Sequence, residues 1–143
     1  MRYLIITLTM ALLAMCPMQV AADIVVIANP ASEITQLTRR QVVDIYMGRA
    51  PIMSNGQRLQ PYDNAEETAI REAFYHQLIG KTLASVNAYW AGLLFAGRAS
   101  PPRQVADSAA MLKIIEGNPN AIGYVATKDL DAHANVVFRL AVD

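Results

Sequence analysis

The pattern of apolar and polar positions divides the chain into an apolar N-terminal run and a mixed remainder. Residues 3–15 are apolar apart from two threonines, one arginine precedes them, and a proline and the small residues at 20–22 follow. This order of basic, apolar and small residues is typical of a secretory signal peptide. We therefore predict cleavage between Ala22 and Asp23, export to the periplasm, and a mature domain over residues 23–143.

Two other fates of the N-terminal run remain open. It could stay attached as a membrane anchor, although a spanning helix needs about 20 predominantly apolar residues and Cys16-Pro17 interrupts the run before that length. It could also carry a lipid on Cys16, although Met15 stands where a small residue is normally required. We expect no membrane span in the mature chain.

The remaining pattern predicts four strands. Residues 23–28 form a continuous apolar, β-branched run that ends at Asn29-Pro30, which is typical of a strand buried on both faces and placed centrally in a parallel or mixed sheet. Further strands are predicted over 58–62, 121–125 and 136–142.

Helix signals lie between these strands. Thr38 and Gln41 have the spacing of a capping box, which predicts a helix over 39–47. Asn64 and Glu67 have the same spacing and predict the start of a second helix, which ends near residue 80.

Two more helices follow. The third is predicted to begin near Thr82 or Ser85, to end at Gly97 and, because it is strongly apolar, to be deeply buried. Asp107 can cap the fourth. Helices interspersed with strands predict an α/β fold: a single layered domain with a mixed sheet of about four strands and helices on both faces.

Composition excludes several functions. The single cysteine lies in the predicted signal peptide, and the two histidines, His76 and His133, lack ligand spacing, so we expect no disulfide, no metal site and no cofactor. The 12 basic and 12 acidic residues give no net charge, and the scattered arginines do not indicate a nucleic-acid partner. No combination of nucleophile, base and orienting residue indicates catalytic residues or an enzyme.

One turn has the position of a ligand site. Residues 62–68 join a predicted strand to a helix N-terminus, where free backbone N–H groups and the helix dipole favour an anion. The turn also contains Asp63, Glu66 and Glu67. Paired carboxylates can act as acid and base, but at a helix start we interpret them as caps and dipole complements that repel an incoming phosphate.

Five segments, in this order and spacing, resemble the phosphate ABC transporter substrate-binding family of the type II periplasmic-binding-protein superfamily. The likeness runs through nearly the whole of residues 23–143. It implies solute binding by a fold equivalent to one lobe, because full-length members close two lobes on the ligand. The segments are LTRRQVVDIYMGR (37–49), GQRLQPY (56–62), REAFYHQLIG (71–80), AYWAGLLFAG (88–97) and NPNAIGYV (118–125).

The resemblance departs from the family at the ligand turn. Phosphate-binding members carry an arginine and then Ser-Gly-Thr before the long helix; Thr68 matches the threonine, but Glu66 and Glu67 replace Ser-Gly. The position of the arginine falls near Tyr62, and Arg71 comes one turn into the helix. Within AIGYV, the resemblance implies structural roles for the glycine and tyrosine.

Two functions are therefore expected. One is a periplasmic solute-binding-like protein for a small anion or another small solute, with phosphate itself disfavoured. The other is a non-transporting interaction or sensory module that acts through a protein partner or a homodimer. Because α/β folds place ligands at strand-to-helix turns, the predicted ligand-binding residues are Asn29, Ser32, Asn64, Thr68 and Arg71.

The predicted cleavage of the signal peptide has a direct test. N-terminal sequencing of the protein released from the periplasm of an expressing bacterium should begin at Asp23, because small residues precede that position. A start at Cys16 with an attached lipid, or retention of Met1 in the membrane fraction, would contradict cleavage after Ala22.

Overall fold

The computed structural model describes residues 23–65 and 68–140, and no helix in these ranges is long and apolar enough to cross a membrane. The strands are β1 (Ile24–Ala28), β2 (Gln60–Asn64), β3 (Arg103–Val105), β4 (Ala121–Ala126) and β5 (Asn135–Leu140). The helices are α1 (Arg39–Tyr46), α2 (Ala69–Ile79), α3 (Leu83–Phe95) and α4 (Ser108–Gly117).

The five strands form one mixed sheet in the order β3-β2-β4-β1-β5. β2 runs parallel to β3 and β4, whereas β1 runs antiparallel to β4 and β5. The predicted α/β fold with a mixed sheet is confirmed, with five strands instead of about four. The unpredicted strand is β3, which spans only three residues, Arg-Gln-Val, two of them exposed, and so leaves no periodic pattern in the sequence.

The burial of β1 on both faces of the sheet explains why its sequence is apolar throughout. All five residues are buried: Ile24, Val26 and Ala28 pack into the core beneath α1, α2 and α3, while Val25 and Ile27 pack into the core beneath α4. Helices therefore cover both faces, as predicted. The central position in the sheet belongs to β4, not to β1, because β5 adds to one side of β1 and two further strands follow β4 on the other.

The capping box at the start of α1 is confirmed. The Gln41 backbone N–H donates to Thr38 Oγ1 at 3.3 Å, and the Thr38 backbone N–H donates to Gln41 Oε1 at 2.8 Å. The helix ends at Tyr46, and Gly48 then takes a φ of +91°, a conformation in which a Cβ would be strained.

The prediction that Asn64 caps the second helix is wrong. Asn64 is the last residue of β2, and its side-chain amide donates to the Tyr124 carbonyl at 3.1 Å; the N-cap of α2 is Thr68. The strand itself lies two residues later than the predicted 58–62. Its polar end stays in the sheet because the side chains of Asp63 and Asn64 find partners inside the protein.

The predicted deep burial of the third helix is also wrong. Only Val86 and Trp90 of α3 are buried, whereas Leu94 is 57% exposed and Phe95 is 95% exposed. One face of α3 packs on the core, and no other element in the described ranges covers its outer face. The last strand, β5, is described as far as Leu140. The end of the predicted strand 136–142 falls on residues 141–143, which lie outside the described ranges.

Gly123 in β4 permits the close approach of α4. A Cβ at this position would overlap Met111 Sδ and lie 3.3 Å from Ile115 Cδ1. Gly123→Ala should therefore lower the free energy of unfolding in urea by about 1–3 kcal/mol through overpacking.

The matched control for Gly123→Ala is Gly92→Ala. Gly92 lies in α3, and its Cβ would meet nothing within 4 Å. That change should be neutral or stabilising by up to about 1 kcal/mol. Equal effects of the two substitutions would contradict the packing argument.

Candidate functional site

The structure separates the five predicted ligand-binding residues into two groups. Ala28, at the end of β1, pairs with Ile122 near the start of β4, whereas Asn64, at the end of β2, reaches Tyr124 further along β4. Because β1 and β2 run in opposite directions, their carboxyl ends lie at opposite ends of the sheet. Asn29 and Ser32 therefore lie at one end, and Asn64, Thr68 and Arg71 lie at the other.

The first group serves local structure. The Asn29 side-chain amide donates to the carbonyls of Ile115 at 2.8 Å and Glu116 at 2.9 Å, near the end of α4. Its carbonyl oxygen accepts from the Ala31 backbone N–H at 2.7 Å. The Ser32 backbone N–H closes the turn on Asn29, and the Ser32 hydroxyl is buried without a hydrogen-bond partner in the described ranges. Asn29 has little capacity left for a ligand.

The second group surrounds a buried carboxylate, Asp63, at the junction between β2 and α2. Arg71 Nε donates to Asp63 Oδ2 at 2.9 Å, and the Tyr75 hydroxyl donates to the same oxygen at 2.9 Å. The Tyr124 hydroxyl donates to Oδ1. The Asp63 side chain is 2% exposed and that of Arg71 is 4% exposed, so this ion pair lies inside the protein.

Arg71 has few donors left for a ligand. Nε is bound to Asp63, Nη2 donates to Asn87 Oδ1 at 3.1 Å, and Nη1 has no partner in the described ranges. The guanidinium carbon lies 5.4 Å from the centre of the Tyr75 ring. Burial lowers the pKa of Arg71, but the hydrogen bond and the charge of Asp63 outweigh burial, so the pKa lies above its ordinary value and Arg71 stays charged.

The tyrosines of the junction are neutral donors. Burial raises the pKa of Tyr124 well above its ordinary value of 10.0, and the charge of Asp63 raises it further. The same two causes raise the pKa of Tyr75. Tyr124 also stacks on Phe74 with 3.7 Å between ring centres. The predicted structural role of the AIGYV tyrosine thus includes a hydrogen bond to the buried carboxylate.

Thr68 and the neighbouring acidic residues complete the junction. Thr68 is the N-cap of α2, but its hydroxyl donates to the Ala65 carbonyl at 2.8 Å and makes no capping bond to the helix. Glu66 and Glu67 lie outside the described residues. The interpretation of Asp63 as a helix cap is wrong, because its oxygens accept hydrogen bonds from Arg71 and Tyr75.

Sequence reasoning also missed Tyr75 and Tyr124 as partners of this carboxylate. The available signal was a carboxylate next to buried strand positions followed eight residues later by an arginine in the first turns of a helix.

Both histidines are exposed. Over residues 23–65 and 68–140, no group of three or more His, Cys, Asp or Glu side chains is placed to hold a metal ion.

Comparison with known proteins supports the fold. The chain resembles an ABC-type phosphate transport receptor from Vibrio cholerae (TM-score 0.63, 18% identity) and a phosphate ABC transporter substrate-binding protein from Clostridium perfringens with bound phosphate (TM-score 0.63, 21% identity). It also resembles a phosphate binding protein from Planctomyces limnophilus DSM 3776 (TM-score 0.60, 12% identity). No protein-family model and no curated protein match the sequence.

The three matches cover most of this chain but only part of each similar protein. They cover 82%, 82% and 81% of this chain but only 46%, 45% and 40% of the three proteins, so the chain spans less than half of their length. The resemblance predicted from the five sequence segments is confirmed at the level of the fold, which matches one lobe of a periplasmic binding protein. The three similar proteins are a transport receptor, a substrate-binding protein and a phosphate binding protein.

The buried pair of Asp63 and Arg71 predicts that two substitutions lower the free energy of unfolding by different amounts. Asp63→Ala leaves the charge of Arg71 buried without its partner and should lower the free energy of unfolding by about 3–5 kcal/mol. Tyr75→Phe removes one hydroxyl from the same carboxylate and should cost about 1–3 kcal/mol.

Chemical denaturation of both variants measures this difference. As a control, Asp44→Ala removes the partner of Arg49 in an ion pair whose side chains are 35% and 65% exposed, and it should cost at most about 1 kcal/mol. A loss for Asp63→Ala as small as that for Asp44→Ala would show that the pair does not organise the junction.

Proposed function

We propose that this chain is an exported periplasmic protein of the solute-binding type, in which one lobe presents the β2–α2 junction to a small solute. The observation that carries the proposal is the agreement of the fold with three phosphate receptors and binding proteins at TM-scores of 0.60–0.63. The signal-peptide pattern of residues 1–22 supports export.

The junction is the proposed binding surface because α/β folds bind ligands at the carboxyl ends of their parallel strands. Asn64, Thr68 and Arg71 lie there, and the buried Nη1 of Arg71 has no hydrogen-bond partner among the described residues. Asn29 and Ser32 lie at the other end of the sheet, so we leave them out of this site.

Phosphate is a weak candidate for the ligand. Arg71 already binds Asp63 and Asn87, and the charge of Asp63 repels a second anion. A single lobe also leaves a bound ion open to water, which screens the attraction between charges. We therefore propose a small solute whose recognition depends less on net charge.

A second candidate function is an interaction or sensory module that works through protein contacts. The exposed end of α3 favours it, since Leu94 and Phe95 are adjacent and largely uncovered. Scattered apolar residues are normal on a surface, so this observation carries less weight than the fold.

Thermal unfolding tests the solute-binding proposal. The purified protein is heated with and without millimolar phosphate, sulfate and a panel of amino acids. A ligand present at about 100 times its Kd adds about 2.7 kcal/mol of stability, which raises Tm by several degrees in a domain of this size. We expect a shift with a polar solute of the panel that exceeds the shift with phosphate.

Two threonine variants show where the solute binds. Thr68→Ala should abolish the shift, because Thr68 lies at the junction. Thr82→Ala alters the N-cap of the next helix, where Thr82 accepts from the Ser85 backbone N–H at 3.2 Å; it should lower Tm and leave the shift intact. Absence of a shift with every compound would contradict solute binding and favour the interaction module.

A further inference from the structure

A groove of about 380 Å³ lies beside the amino-terminal half of β2 and reaches Tyr62, the residue before Asp63. Its walls come from the end of α1, the segment 58–62, α3 and the segment 99–103. Its volume is within the range of about 300–1,000 Å³ that is typical of small-molecule sites. The groove does not include Asn64, Thr68 or Arg71.

The charges of the groove have one sign. Arg58 and Arg103 are its ionisable side chains apart from one tyrosine, and none of its lining residues is acidic. Arg58 Nη1 donates to the Ala50 carbonyl at 2.7 Å, which fixes that side chain against the segment after α1. Its Nε and Nη2 make no hydrogen bond to the described residues. Both arginines are exposed, and no ion pair or side-chain hydrogen bond engages Arg103 in the described part of the chain.

The rest of the lining is mostly apolar. Trp90 is 5% exposed, and Ile45 and Leu59 are each 1% exposed; Pro101-Pro102 lies in the same wall. The Trp90 indole N–H is buried and has no hydrogen-bond partner in residues 23–65 and 68–140. Because this nitrogen is shielded from solvent, Trp90 contributes apolar surface to the groove and not a hydrogen-bond donor.

We infer that this groove binds a small organic carboxylate with an apolar body. The apolar walls match the body of such a molecule, and arginine binds carboxylates through two parallel hydrogen bonds. Inorganic phosphate would satisfy the arginines but leave the apolar volume unfilled. The groove shares none of Asn64, Thr68 and Arg71 with the junction, so a carboxylate can bind in it whether or not a solute binds at the junction.

Trp90 is the only tryptophan of the chain, so its fluorescence reports directly on the groove. Purified protein is titrated with 4-methylpentanoate, cyclohexanecarboxylate and phenylacetate while indole emission is recorded. We expect a saturable change with at least one of them and a weaker response to the corresponding neutral amide. No saturable change with any of the three carboxylates would overturn the inference.

Two arginine variants test the role of charge. Arg103→Gln should weaken binding about tenfold or more, because it removes a charge-assisted hydrogen bond. Arg139→Gln is the matched control: Arg139 is also exposed in a strand, β5, but at the opposite edge of the sheet. Equal weakening by both variants would indicate a general effect of net charge and would contradict a site in the groove.

Solute binding at the junction and carboxylate binding in the groove can be tested independently. Thr68→Ala should leave the fluorescence titration unchanged, and Arg103→Gln should leave the thermal shift with the junction's solute unchanged. Loss of the carboxylate response in Thr68→Ala would show that the response arises at the junction, and it would overturn the assignment to the groove.

Discussion

The buried ion pair between Asp63 and Arg71 is the interaction on which the organisation of the protein depends. Bringing two charges out of water costs several kcal/mol for each ion, unless good geometry and further hydrogen bonds compensate. Here the compensation comes from four elements, since β2 supplies the carboxylate, α2 the guanidinium and Tyr75, β4 the Tyr124 hydroxyl and α3 the Asn87 oxygen. These elements therefore keep one relative arrangement.

The same pair determines what the junction can bind. An arginine at a helix start beside a strand end is well placed to attract an anion, but here its charge is neutralised by a carboxylate within the fold. The structure thus shares an architecture with phosphate receptors while the chemistry at this end of the sheet differs from that of an open cationic site. Similar folds commonly carry different functions, so the fold alone does not assign a ligand to this junction.

The features that the sequence predicts are those set by near neighbours in the chain. The capping box of α1 depends on residues three positions apart, and the apolar run of β1 needs only burial on both faces. The role of Asp63 depends on Arg71 and Tyr124, which are 8 and 61 positions away. Likewise, composition predicts that α3 is apolar, but only the tertiary arrangement shows that its outer face is uncovered.

Strand direction explains the division of the predicted ligand residues. A strand-to-helix turn is a good indicator of a binding site only when its strand belongs to the parallel set, and sequence does not give the direction of a strand. β2, β3 and β4 are parallel, so their carboxyl ends meet at one end of the sheet, whereas antiparallel β1 ends at the other. Because Asn29 follows β1, its side chain bonds to the end of α4. The residues at the carboxyl ends of the parallel set are instead those that follow β2, β3 and β4.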